Sequence, residues 1–281
     1  MTRVTRPADL RERIGIDLGG KIRLEDGLEW ARAHGVRYVD TCLDRPGEVP
    51  SPLESLTPER AASARAFCER HGIHLGLHTL SAVNVAETSP FLATAADRYL
   101  EAYVEAARSL GAAWVVVHGG YHFSSDYETR RTASLERLER AVARAERAGV
   151  RLLLENLNRE PEHAEVHYLA FNLEECRHYF GRIASPHLGW AFTVNHAHLV
   201  PEGVDGFLDA MDLGRCGEIR LADNTGEYEV HLYPGQGTID FGRVFQRVEA
   251  AGYRGHYMLA FGSREDMLRG REDLAALDPA R

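Results

Sequence analysis

Eight short apolar runs recur along the chain. Each ends on or near a polar residue, and each is followed by an amphipathic stretch with helical spacing. The runs cover residues 14–17, 36–41, 73–78, 113–118, 150–155, 187–192, 218–222 and 255–261. The helical stretches fall at 24–34, 58–71, 90–110, 127–148, 172–180, 204–211, 241–251 and 264–276. Local punctuation agrees: Thr57 reads as an N-cap with Pro58 at the first helical position, and Gly72, Gly111, Gly149 and Gly252 read as stops. Strands alternating with helices predict a parallel sheet with helical crossovers. At 281 residues, eight such units fit one closed (β/α)8 barrel better than an open doubly wound sheet. The glycine-rich dinucleotide fingerprint is also missing after the first run. With no linker, low-complexity tract or charge block, residues 1–281 are expected to form one α/β barrel domain.

Composition removes several function classes. The formal charge is −9, from 42 acidic and 33 basic residues, which argues against a nucleic-acid partner because phosphates call for a basic stripe. Lys21 is the only lysine. Schiff-base chemistry needs a desolvated lysine, and Lys21 sits beside Gly19 and Gly20 in what reads as a loop, so class I aldolase chemistry is set aside. The N-terminal region is charged, with Arg3, Arg6, Arg11 and Arg13, and apolar runs such as 114–117 fall far short of the roughly 20 residues of a membrane span. Cys42, Cys68, Cys176 and Cys216 form no CxxC pair and read as reduced core thiols of a cytoplasmic protein.

In a barrel of this kind the carboxyl ends of the strands converge on one mouth. The residues there are Asp17, Asp40, His78, His118, Glu155, Thr193, Arg220 with Asp223, and Ala260. One histidine at a strand end is ordinarily a satisfied polar residue. So many ionisable groups aimed at one point are costly unless they are used, because unpaired buried charge is expensive.

Six ordered motifs give the pattern a family likeness: Gly76-Leu-His78-Thr-Leu, Val115-Val-Val-His118-Gly-Gly, Leu152-Leu-Leu-Glu155-Asn156, Gly189 through Asn195-His196, Arg220-Leu-Ala-Asp223-Asn224, and His231-Leu-Tyr-Pro-Gly-Gln-Gly237-Thr-Ile-Asp-Phe241. In order and over nearly the whole chain, they resemble the xylose isomerase-like TIM-barrel superfamily. That superfamily holds endonuclease IV, sugar isomerases and epimerases, and inosose and dehydroshikimate dehydratases.

The resemblance implies a divalent metal (zinc, manganese or magnesium). In the isomerase and epimerase members it is held by Glu, Asp, His or Gln, and Glu from four successive strand ends. Glu155 falls on the first of these, Thr193 on the second, Arg220 on the third and Ala260 on the last, with His196 retaining the histidine of the Asp-x-x-His motif. In the trinuclear endonuclease IV branch, His78, His118 and Glu155 match one zinc position, and His196, Glu229 and His231 match another. Ligands peculiar to the middle metal are missing. Two readings stay open. One is an ion in a displaced position, two His plus a carboxylate being an acceptable set. The other has no metal, the Arg220 guanidinium neutralising Glu155 and binding substrate oxygens bidentately.

Without a carboxylate at 260, a single base at Glu155 suits aldose–ketose isomerisation, β-elimination or decarboxylation better than two-base epimerisation. His196, His198 or His231 would serve as the partner group. His118, Asn156, Arg220, His198 and His122 are expected around a small polyhydroxylated substrate. His122 either folds over the mouth or faces water, Asn156 and Asn158 orient hydroxyls or cap a loop, and His163 and His167 face water or the rim. Trp190 is expected in packing, Asp223 and Asn224 in holding the loop after the seventh strand, and Asp17 and Asp40 in hydrogen bonds near the barrel floor. The alternatives are an endonuclease IV-type metallohydrolase, a dehydratase or lyase, and a non-catalytic ligand-binding barrel. Barrels of this type are often homo-oligomers.

Overall fold

The computed structural model describes residues 9–44 and 51–279; Arg3, Arg6, Pro46 and Pro50 lie outside them. Eight parallel strands close into a barrel: β1 (Ile14–Asp17), β2 (Tyr38–Thr41), β3 (His74–His78), β4 (Trp114–Val117), β6 (Leu152–Glu155), β8 (Leu188–Thr193), β9 (Cys216–Leu221) and β10 (His256–Leu259). The remaining two strands, β5 (Tyr121–Phe123) and β7 (Val166–Tyr168), form a small antiparallel pair outside the barrel. All eight apolar runs are strands, trimmed at one or both ends in most cases. Unanticipated are the β5–β7 pair, which turns the loop carrying His167 into a strand, the short α1 (Leu10–Arg13), and the helical turn α7 (Val194–His198) directly after β8.

The larger helices are α2 (Leu24–Ala33), α3 (Pro58–His71), α4 (Pro90–Leu110), α5 (Tyr127–Ala148), α6 (Leu173–Arg182), α8 (Gly203–Ala210), α9 (Phe241–Ala250) and α10 (Arg264–Ala275). Thr57 caps α3 by accepting the Arg60 N–H, and Gly72 ends it at φ +63°, where a side chain would be strained. The main apolar core lies between the strands and their helices and includes Trp190, Phe192, Phe207 and Phe245. Among the described residues no helix is long and apolar enough to cross a membrane, and all four cysteines are unpaired and buried.

Strand residues alternate between the helix layer and the barrel axis. The axial set is only thinly apolar: Trp114, Val116, Leu153, Ala191 and Met258, with Tyr38 packed against them. Gly76 has no room for a Cβ, because Trp114 reaches across it to donate its indole N–H to Asp40 at 2.8 Å. Ionic side chains share the axis with this layer: Asp40 stands in register with Gly76 and Glu218 with Ala191, and both are buried, as are His118, Glu155 and Arg220 toward the strand ends.

Candidate functional site

β3 and β6 end on His78 and Glu155, and His118 follows β4, so register brings the three together. The His78 and His118 Nε2 atoms are 3.1 Å apart, and they lie 3.3 and 3.1 Å from Glu155 Oε2. The hydrogen bonds around this triangle define its needs. Thr79 Oγ1 donates to the Val116 carbonyl, so it accepts from His118 Nδ1 at 3.2 Å, which leaves a bare lone pair on His118 Nε2 facing a carboxylate. A cation has to sit among these atoms. One source is a proton on His78. Burial and the Arg220 charge oppose that proton, but the hydrogen bonds to Asp17 and Glu155 prevail and push the imidazole up to about 9. His118 is held down by burial. The other source is a metal. Ligand atoms on a tetrahedral zinc stand about 3.3 Å apart, close to the edges of this triangle, so the donor set fits.

Glu155 completes its shell through Oε1, which accepts from Thr193 Oγ1 at 2.5 Å and faces Arg220 Nε at 3.7 Å. Burial works against its charge. Hydrogen bonds from His118 and His78 together with Arg220 nevertheless hold the carboxyl well below the usual range.

Arg220 is itself fully engaged. Nη1 donates to Asp40 at 2.8 Å and to Glu218 at 2.6 Å, and Nη2 donates to Asp17. Bidentate substrate binding by Arg220 is therefore corrected, because both terminal nitrogens already serve carboxylates. Its ion pair with Glu155 is present. Asp17 and Asp40 are corrected too: they sit at the mouth and on the axis below it, not at the floor. Burial raises Asp40 well above the carboxylate range, with Glu218 adding to the effect. Burial also raises Glu218, and Asp17 stays low because Arg220 and His78 outweigh its burial.

A second triad lies beside the first. Glu229 Oε1 is 3.2 Å from His196 Nε2, 2.7 Å from His231 Nε2 and 3.1 Å from Asn195 Nδ2, while its buried Oε2 has no partner among the described residues. The Nδ1 atoms of His196 and His231 donate to the carbonyls of Asn156 and Ala260. That anchoring fixes the tautomer, as it does for metal-ligating histidines, and aims both Nε2 atoms at one carboxylate. Here too the donors call for either protons or an ion, and the set fits one. Hydrogen bonds from His196 and His231 outweigh the burial of Glu229 and hold its carboxyl down at about 2, and His196 is raised by Glu229 against its burial. The position between the triads does not fit a metal: Thr193 is spent on Glu155, Arg220 is a fixed cation, and Ala260 offers only a methyl.

Both triads line a cavity of about 830 Å³ at the barrel mouth, together with Asp17, Lys21, Asn158, Tyr168 and Arg264. Three residues expected around substrate lie elsewhere. The Asn156 amide is consumed by the Thr193 backbone, accepting its N–H at 2.8 Å and donating to its carbonyl at 3.0 Å. His198 meets Thr238 Oγ1 at 2.9 Å. His122, buried on β5, stacks on His167 with centroids 5.6 Å apart. Trp190 is core, Asp223 accepts loop amides from Asn224, Gly235, Gly237 and Ile239, and His163 is exposed. Sequence reasoning missed Thr79, the acceptor for His118, and Glu218, whose place two residues before Arg220 on one strand face was the available signal.

A family model described as the xylose isomerase-like TIM barrel matches residues 28–279. The probable endonuclease 4 of Mycobacterium marinum is 26% identical over 243 residues, covering 83% of this chain and 89% of that protein. Among solved structures, a D-tagatose 3-epimerase-like protein superposes with a TM-score of 0.80 at 20% identity, covering 94% of this chain and 96% of that one. Endonuclease IV from Thermus thermophilus superposes with a TM-score of 0.71 at 22% identity, covering 94% of this chain and 98% of that one. Both solved structures share the fold.

Proposed function

The chain belongs to the xylose isomerase-like TIM barrel family, and from that premise we propose that it is a sugar or sugar-acid isomerase, or a related lyase, in which Glu155 moves a proton on a small polyhydroxylated substrate. The observation that carries this reading is the ionised Glu155 carboxylate in the mouth cavity, with Nε2 of His78 and His118 on Oε2 and Thr193 on Oε1.

A carboxylate held so low is always ionised but is a weak base. Its proton must therefore come from carbon already acidified by a neighbouring carbonyl. As that carbonyl becomes an enolate, its oxygen needs a donor. His196 and His231 both bring Nε2 to Glu229 Oε1, at 3.2 and 2.7 Å, so an Nε2 proton held there would serve that oxygen by turning from Glu229 to the substrate. Of the two, His231, 41% exposed, is nearer solvent. With Ala260 opposite, a one-base isomerisation or β-elimination is favoured over epimerisation through two carboxylates. A zinc, manganese or magnesium ion held by His78, His118 and Glu155, or by His196, Glu229 and His231, would supply a Lewis acid for a substrate oxygen.

One observation favours a second reading, a metallohydrolase of the endonuclease IV type: two separate His–His–carboxylate sets are present. Against it stand Arg220 at the middle position and the −9 charge. The test assays ketoses, aldoses and aldonates beside a duplex containing an abasic site. Turnover of a sugar or sugar acid that disappears in Glu155→Gln supports the proposal; incision of the duplex overturns it. Tight ligand binding with no turnover of any substrate would overturn it in favour of a binding barrel.

A further inference from the structure

Two cations line the cavity rim without meeting a carboxylate among the described residues: Lys21, on the loop after β1, and Arg264, the first residue of α10. β1 and β10 are paired neighbours in the barrel, so the loops that leave their carboxyl ends stand side by side. Each cation is placed without being neutralised. The Arg264 guanidinium lies over the Trp30 ring, 5.5 Å from its centre, a contact that orients the side chain and leaves its charge free. The Lys21 loop is turned by Asp17, whose Oδ1 accepts the Gly19 N–H at 2.8 Å while Oδ2 takes Arg220. Deeper in the cavity the signs are different. Asp17, Glu155 and Glu229 all have basic partners, so the interior is internally compensated. On the rim the one further acid is the exposed Glu265, which leaves two cations to one carboxylate in a chain that is acidic as a whole. At the start of α10, Ser263 and Asp266 cap each other, each side chain accepting the other's backbone N–H.

We propose that Lys21 and Arg264 form a subsite for an anionic group of the substrate, a carboxylate or a phosphate, whose hydroxylated chain then reaches down to Glu155 and His231. The inference rests on the proton-transfer reading above and narrows its substrate class from sugars in general to sugar acids or sugar phosphates. The cavity of about 830 Å³ that Lys21, Arg264, Glu155 and His231 all line lies within the size range of small-molecule sites.

The test is calorimetric binding of D-gluconate, D-fructose 6-phosphate and D-fructose to the full-length protein and to Lys21→Gln, Arg264→Gln and the double variant. At least one anionic probe is expected to bind about tenfold or more tightly than fructose. The preference should weaken with added salt and vanish in the double variant. Gluconate alone, or the phosphate alone, would identify the anion. Glu265→Gln is expected to strengthen anion binding, which keeps the proposal open to test should the double variant misfold. Equal binding of all three probes, or a preference untouched in the double variant, overturns the subsite and leaves the proton-transfer reading standing. Binding of none of the three overturns both.

Discussion

Nη1 of Arg220 lies 2.8 Å from Oδ2 of Asp40, joining the ninth strand to the second across the barrel axis. The same guanidinium serves Glu218 and Asp17, so one positive charge holds three strands by their acids. Asp40 and Glu218 are completely buried. Arg220→Met therefore leaves buried carboxylates without a counter-charge, and we expect a loss of about 3–5 kcal/mol in urea unfolding at neutral pH. Arg220→Lys is expected to recover part of it, since one ammonium cannot span three carboxylates as the planar fork does. A loss below about 1 kcal/mol for Arg220→Met would remove Arg220 as the organising cation.

The pH dependence of stability separates the two ways of filling the inner triad. In the ion-free chain His78 is pushed up to about 9, above its unfolded value of 6.5. A raised histidine contributes stability that is complete below the unfolded pKa and is lost as pH rises through the folded one. The ion-free protein is thus expected to lose about 3 kcal/mol between roughly pH 6.5 and 9, and His78→Gln is expected to flatten that slope. Zinc loading should also flatten it, because the ion takes the place of the proton. Thermal unfolding across this range, with chelator and with zinc, is the measurement. A slope unchanged in His78→Gln contradicts the assignment.

Metal content tests the division of the mouth into two fitting positions and one that does not fit. After equilibration with zinc and removal of excess, elemental analysis is expected to give about two ions per chain. Glu229→Gln and His118→Gln should each remove about one. Three ions per chain would mean that Arg220 moves aside.

The barrel was legible because its strands are short apolar runs punctuated by capped helices, two signals that do not depend on distant partners. The β5–β7 pair escaped because its strands, Tyr121–Phe123 and Val166–Tyr168, are three residues each and carry His122 and His167, with a long helix and a barrel strand between them. Within the site, strand-end positions could be read from period and motif order. Side-chain direction beyond the strand ends could not. Asn156 follows Glu155 directly, yet its amide turns onto the Thr193 backbone, and His198, two residues past His196, reaches Thr238. Lys21 and Arg264 share a cavity only because the first and last barrel strands close on each other, a contact between chain ends that local sequence does not encode.

In the proposed reaction Glu155 exchanges a proton with carbon next to a carbonyl. Incubation of the protein with ketoses, aldoses and aldonates in D2O, followed by proton NMR, reads that step even where net conversion is small. Deuterium is expected to enter the carbon adjacent to the carbonyl of at least one substrate, with Glu155→Gln slowing the exchange by a factor of about 100 or more. Exchange at an equal rate in Glu155→Gln, or none with any of these substrates, would remove Glu155 as the group that moves the proton.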